Sequence, residues 1–392
     1  MPETPRQSTL SVRGGEGRRR LAHAVATPIV QSATFAFEDS AGVRAFQLEV
    51  EKSRFEYGRY GSPTQLILEK KLAAIYNAQD ALVTSSGMSA VTDTFLALLR
   101  SGDHLVLTSE CYKKTRVFCE DYLAKFGVRL SFVEPVAESI IRAIGKRTRA
   151  VFVEIPTNPH LYVPDIPRIA SVTRARRIPL LVDPTLAGPF STDPFRMGAD
   201  LVILSLTKYL AGHNDVIGGA VLGRKKLLDP VREYHGTAGT LLPPLAAYLV
   251  LRGIKTAALR MHRQHDTAEK VARFLEQHPK VRRVYYPGLP SHPHFGVASR
   301  LLRGCGGVVT FRLKSDLEGA ERFMDRLRLF AIAPSLGGVE SLAELPATMS
   351  YWDRPRKVRR SLDISDDLVR LSVGIEDAED LLSDLKQALS AV

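Results

Sequence analysis

Lys208 stands in "LSLTKYLAGHNDVIGG", residues 204–219, where an apolar run ends and a glycine-rich stretch begins. A lysine there either reaches solvent, as lysines at strand ends do, or is held desolvated as an amine that can form a Schiff base with an aldehyde. Other residues able to do chemistry stand in comparable places. Ser85, Ser86 and Gly87 follow "DALVT", Glu154 and Asn158 lie in "EIPTNP", Asp183 closes "LLVD", and Ser205 and Thr207 flank the lysine.

Small hydroxyl residues and glycine at a strand-to-helix turn suit an anion, because backbone N–H groups and the helix dipole point at it; they are equally good helix caps. Asp183 follows apolar residues, so its carboxylate is expected to be partly buried and to need a partner; the alternative is a turn before Pro184. Tyr112, in "SECYKKT", either stacks on a planar ligand or packs in the core. A lysine, a hydroxyl-lined anion turn, a buried carboxylate for a ring nitrogen and an aromatic for a ring face together describe a pyridoxal 5'-phosphate site.

The elements that must position these residues follow from periodicity. Helical and strand patterns alternate from residue 62: a helix over 62–78, then "DALVTSS", "GMSAVTDTFLALL", "DHLVLTS", "RAVFVEIP", "IPLLVDPT", "ADLVILSLTK" and "GGAVLG". Such alternation predicts an α/β protein with a mostly parallel central sheet, and ligands of such sheets bind beyond the carboxyl ends of the strands. Asp183 and Lys208 are 25 residues apart, one crossover between adjacent strands. A long helix over 243–278 then leads to "GGVVTFRL", "LFAIAPS" and "LVRLSVG" with two helices, read as a smaller α+β domain with an antiparallel sheet. The expected organisation is an extended N-terminal arm over 1–60, a cofactor-binding α/β domain over 61–250 and a C-terminal domain over 251–392.

Composition narrows the function classes. The net charge is +12, but the clusters "RARR" (174–177) and "RKVRR" (356–360) lie far apart without interleaved aromatics, which argues against nucleic acid. "LLPPLAAYLVL" is too short for a membrane span and contains Pro243 and Pro244. No signal-peptide core is visible, so a soluble cytoplasmic protein is expected. Three cysteines without CxxC spacing support neither a disulfide framework nor a zinc site, and no metal is expected.

The pieces "TPIVQSATFAF", "YGRYGSPT", "SSGMSA", "ECY", "EIPTNP", "VDPT", "SLTKYLAGHNDVIGGA", "SLGGVESLAELPATMS" and "VRLSVGIED" run in the order of a known family. The chain resembles the Cys/Met-metabolism enzymes dependent on pyridoxal phosphate, the group of cystathionine γ-synthase, cystathionine γ-lyase, methionine γ-lyase and the O-acyl-homoserine sulfhydrylases. The resemblance implies the aminotransferase-like fold type I. It also implies that Lys208 carries the cofactor and shuttles protons, that Asp183 partners the pyridine nitrogen and that Tyr112 stacks on the ring. Ser86, Gly87, Met88, Ser205 and Thr207 match phosphate positions. Tyr57 and Arg59 match a pair that reaches the neighbouring subunit's phosphate, which implies an obligatory homodimer, usually paired into a homotetramer. Arg370 matches the clamp for the substrate α-carboxylate, with Ser335 and Asn158 as helpers.

By the same resemblance the reaction is γ-replacement on an O-activated L-homoserine through a vinylglycine-like intermediate. The alternatives are γ-elimination to a 2-oxo acid and ammonia, β-elimination, or a basic binding protein that keeps the fold without the activity. Some positions depart from the family pattern. Lys113 and Lys114 follow Tyr112 and either attract an acidic group or point to solvent. Pro334 stands where cystathionine-processing relatives often carry glutamate, Tyr351 where histidine is usual, and Pro184 where asparagine is common.

Overall fold

A computed structural model describes residues 5–16, 23–48, 50 and 54–392. Seven strands form the first sheet: β1 (Asp80–Thr84), β2 (His104–Thr108), β3 (Arg129–Val133), β4 (Thr148–Glu154), β5 (Leu180–Asp183), β6 (Leu201–Ser205) and β7 (Gly219–Gly223). Their order is β1-β7-β6-β5-β4-β2-β3, parallel except that β7 runs against both of its neighbours. Val, Leu and Ile fill both faces of β4, β5 and β6, as a sheet covered on two sides requires. Register places Glu154 opposite Asp183, so two carboxyl groups leave adjacent strands at the same edge.

The second sheet contains β8 (Val281–Tyr285), β9 (Val308–Leu313), β10 (Ala331–Ile332), β11 (Leu342–Glu344) and β12 (Leu368–Ser372), in the order β10-β11-β12-β9-β8. The antiparallel sheet expected from sequence is corrected here to a mixed one, because β10 pairs with β11 in parallel. The helix Pro244–Gln277 ties the sheets together. Its Ala247, Val250, Leu251 and Ile254 pack in the core of the first, and its Ala268, Val271, Ala272 and Leu275 in that of the second.

Three strands escaped the periodicity reading. β3 is an edge strand, "RLSFV", paired only with β2 and half-buried, so it lacks the apolar run of its neighbours. β8 carries two arginines inside "VRRVY", and β11 has three residues. Helix starts were legible: Ser62 and Ser86 cap Pro63–Tyr76 and Gly87–Leu98, accepting from Gln65 N and Ser89 N, contacts worth about 1 kcal/mol each. The three cysteines are free.

Candidate active site

The Lys208 segment turns sharply after β6. Gly212 N–H donates to the Lys208 carbonyl at 2.8 Å, and the buried Arg260 donates to the carbonyls of Tyr209 (2.8 Å) and Leu210 (3.4 Å). Gly212 has φ +72°, and a Cβ there would lie 1.9 Å from Arg260 Nη1, so the turn and the guanidinium need glycine. Arg260 had no sequence signal beyond a basic residue on an otherwise buried helix face.

Lys208 Nζ donates to Ser335 Oγ at 2.7 Å. Burial, then the charge of Arg370, pulls this amine down to about 8, while Glu344 opposes the shift. Ser335 sits at φ 95°, a region few residues other than glycine adopt. This backbone also presents its carbonyl to Arg370 Nη2 at 2.8 Å. Arg370 Nη1 donates to Asn158 Oδ1 and pairs with Glu344 Oε1, both at 3.1 Å. Lys208, Ser335, Asn158 and Arg370, chosen from four separate stretches of sequence, form one contiguous cluster.

Asp183 Oδ1 accepts from Thr185 N at 2.9 Å, and Thr185 Oγ1 accepts from Ser205 N at 3.0 Å, locking β5 to β6. Burial pushes the Asp183 carboxyl up, with Thr185 opposing. Burial also pushes up Glu154, and the charge of Asp183 adds to that shift. A protonated ring nitrogen is the cation such a carboxylate lacks. Tyr112, 49% exposed, begins the helix Lys113–Asp121, and its N–H donates to Glu154 Oε1.

The turn after β1 caps the helix Gly87–Leu98. Ser86 Oγ accepts from Ser89 N at 3.0 Å, and Ser89 Oγ bonds both Ser85 Oγ (2.8 Å) and Ser86 Oγ (2.9 Å). Ser89 is thus a hydroxyl of the turn that motif reading passed over. A Cβ on Gly87 would lie 2.9 Å from Ser205 Cβ, so the turn stays open only with glycine. Met88 Sδ accepts from Thr115 Oγ1 at 3.8 Å, joining this helix to the one behind Tyr112. Thr207 Oγ1 is engaged with Gly218, accepting its N–H at 3.0 Å and facing its carbonyl at 3.3 Å.

Tyr57 and Arg59 are not part of this cluster. Arg59 donates to Gly236 O at 2.8 Å and lies over the rings of Tyr57 and Tyr60 at 5.3 and 4.9 Å. No hydrogen bond or ring contact among the described residues joins the pair to Lys208. Of the departing positions, Lys113 pairs with Asp353 and lies 5.9 Å over the Tyr351 ring. Lys114 and Pro334 are exposed. Tyr351 is buried beside Tyr285, Ala347, Ile364 and Leu368, and Pro184 accepts from Ala187 N and Gly188 N to close the turn after Asp183.

The sequence model of the family described as "Cys/Met metabolism PLP-dependent enzyme" matches residues 8–390. The chain belongs to that family. It is 43% identical over 388 residues to cystathionine gamma-synthase 1, chloroplastic, of Arabidopsis thaliana, covering 98% of this chain and 69% of that protein. L-Methionine gamma-lyase of Treponema denticola is 40% identical, with 93% and 92% covered. The crystal structure of metB from Corynebacterium glutamicum superposes with a TM-score of 0.93 at 38% identity, covering 100% of this chain and 99% of that one. The fold is therefore fold type I, the protein is an enzyme, and its cofactor is pyridoxal 5'-phosphate. The lysine, the partly buried carboxylate with no ion pair among the described residues and the open serine turn fit that group. Among the described residues no helix is long and apolar enough to cross a membrane.

Proposed function

We propose that the enzyme catalyses γ-replacement on an O-activated L-homoserine. The observation that carries this reading is Lys208 Nζ meeting Ser335 beside an arginine whose buried Nε has no hydrogen-bond partner among the described residues. The name of the Arabidopsis relative, a cystathionine gamma-synthase, favours replacement. The Treponema relative's name supports γ-elimination as the second reading.

In this reading Ser86, Gly87, Met88, Ser205 and Thr207 hold the cofactor phosphate, Asp183 faces the ring nitrogen and Tyr112 stacks on the ring. Bound there, pyridoxal phosphate supplies an electron sink for the substrate α-carbon. Arg370, with Asn158 and Ser335, orients the α-carboxylate. The Lys208 amine, depressed to about 8, takes the α-proton and returns protons further along the substrate; Ser335 Oγ holds it in place. Tyr112 borders the open side, where the leaving group departs. Its hydroxyl is a second proton carrier, although burial raises its proton affinity. Lys113 is neutralised by Asp353, whereas Lys114 has no ion pair among the described residues and is the cation offered to an acidic co-substrate.

Each site is completed by a second copy of the chain, whose Tyr57 and Arg59 reach the phosphate. The 42% exposure of Tyr57 and 62% of Tyr60, large aromatics left open on the arm, supports this. The homodimer pairs into a homotetramer and works in the cytoplasm. In this reading the chain divides into an arm over 1–60 and domains over 61–250 and 251–392.

The test is mass spectrometry of products after incubating the loaded enzyme with O-acetyl- or O-succinyl-L-homoserine, with and without cysteine or other nucleophiles. A nucleophile-dependent adduct is expected. 2-Oxobutanoate without any adduct would replace this reading with γ-elimination.

A further inference from the structure

Arg370 is 4% exposed and Glu344 1%, and they face each other across the antiparallel pair β11–β12. A guanidinium has five N–H donors. Nη1 donates to Asn158 Oδ1 at 3.1 Å and forms an ion pair with Glu344 Oε1 at the same distance, and Nη2 donates to Ser335 O at 2.8 Å. Nε is buried without a partner. Nε and Nη2 share one edge of the guanidinium, the kind of edge that binds a carboxylate bidentately. Glu344 is held in turn by Ser350, whose Oγ lies 3.0 and 3.1 Å from the two carboxylate oxygens.

We propose that Glu344 is a positioning residue, gripped by Ser350, that fixes Nη1 of Arg370 so that its Nε/Nη2 edge is presented to the substrate α-carboxylate. This rests on Arg370 being the carboxylate clamp. Asn158 and Ser335 each offer one neutral acceptor, and both belong to loops. Glu344 lies on a strand directly opposite the arginine and supplies the ion pair of the set. It also gives the buried guanidinium a counter-charge before substrate arrives, without which an uncompensated charge would sit in the core. A glutamate inside "SLAELP" carries no sequence signal of its own, since only the β11–β12 register brings it to Arg370.

The test compares binding of L-alanine, which has the α-carboxylate but no leaving group, with L-alaninamide, which lacks the carboxylate. Binding is read from the absorption of the bound cofactor in the holoenzyme. Glu344→Ala is expected to weaken L-alanine by about tenfold or more and to leave L-alaninamide unchanged. Glu344→Gln keeps the side chain's shape and an oxygen beside Nη1 but removes the charge, and is expected to bind L-alanine less tightly than the parent and more tightly than Glu344→Ala. Should Glu344→Ala not fold, Ser350→Ala decides, with an expected weakening of about threefold for L-alanine alone. Unchanged L-alanine binding, equal loss for both ligands, or no rescue by glutamine overturns the proposal. An Arg370→Lys variant with undiminished L-alanine binding overturns instead the reading of Arg370 on which it rests.

Discussion

The two walls of the proposed site, one for the cofactor and one for the substrate, are made by different means. On the cofactor wall, Ser86, Asp183 and Lys208 stand at or just beyond the carboxyl ends of β1, β5 and β6, held by backbone contacts: Thr185 N to Asp183, Ser89 N to Ser86, Gly212 N to the Lys208 carbonyl. On the substrate wall, Arg370 lies within β12 and is aimed by side chains and one carbonyl from three other segments. The first wall derives from sheet topology, with glycine required at two of its turns. The second depends on a buried charge set in which each member needs the others.

The largest expected effect tests the cofactor wall. Lys208→Ala should lower kcat at least about a thousandfold, and borohydride treatment, which should fix the cofactor to the parent chain, should leave the variant's mass unchanged. Asp183→Asn should cost about a hundredfold in kcat with unchanged thermal unfolding, because an amide cannot hold a proton on the ring nitrogen as a carboxylate does.

On the substrate wall, Arg370→Lys should raise KM about thirtyfold, equivalent to ~2 kcal/mol, since an ammonium cannot reproduce the fork. An effect on kcat alone would erase the distinction between the walls.

The pH dependence of cofactor capture sharpens the comparison, because Lys208 feels both walls. Only the neutral amine attacks an aldehyde, and a group at about 8 is neutral in about one molecule in ten at pH 7 and about nine in ten at pH 9. Capture by the apoenzyme should therefore rise about ninefold between those values and then flatten. A rise that stays nearly tenfold from pH 8 to 9 and levels only above about pH 10 would mean an ordinary lysine. The smallest effect belongs outside both walls: Lys113→Ala breaks a pair whose Asp353 is exposed and should change stability by less than about 1 kcal/mol in thermal unfolding.

Much of the cofactor wall could be read in advance because its information is local. An apolar run such as "ADLVILSL" declares a buried strand, and residues at its end share an edge with those at the ends of neighbouring strands. The substrate wall was reached through the family resemblance for Arg370, Ser335 and Asn158, and its Glu344, like Arg260 behind the lysine, was not reached at all. Such residues acquire meaning from pairings between separate segments, 26 positions apart for Glu344 and Arg370 and 127 for Lys208 and Ser335. Lys113 teaches the reverse: two adjacent lysines looked equivalent, and only the fold brought Asp353 to one of them.

The amino-acid order by itself determined the alternation of strands and helices, the edge where chemistry gathers, and the lysine, aspartate and serine turn of a pyridoxal phosphate enzyme. These follow from period, capping and the direction of parallel strands, which act over a few residues at a time. Tertiary structure alone decided the mixed second sheet, the grip of Arg260 on the Lys208 turn and the pairing of Arg370 with Glu344. Burial turned those last two from ordinary charged residues into a directed donor edge, because a desolvated charge must take whatever partners the fold brings within reach.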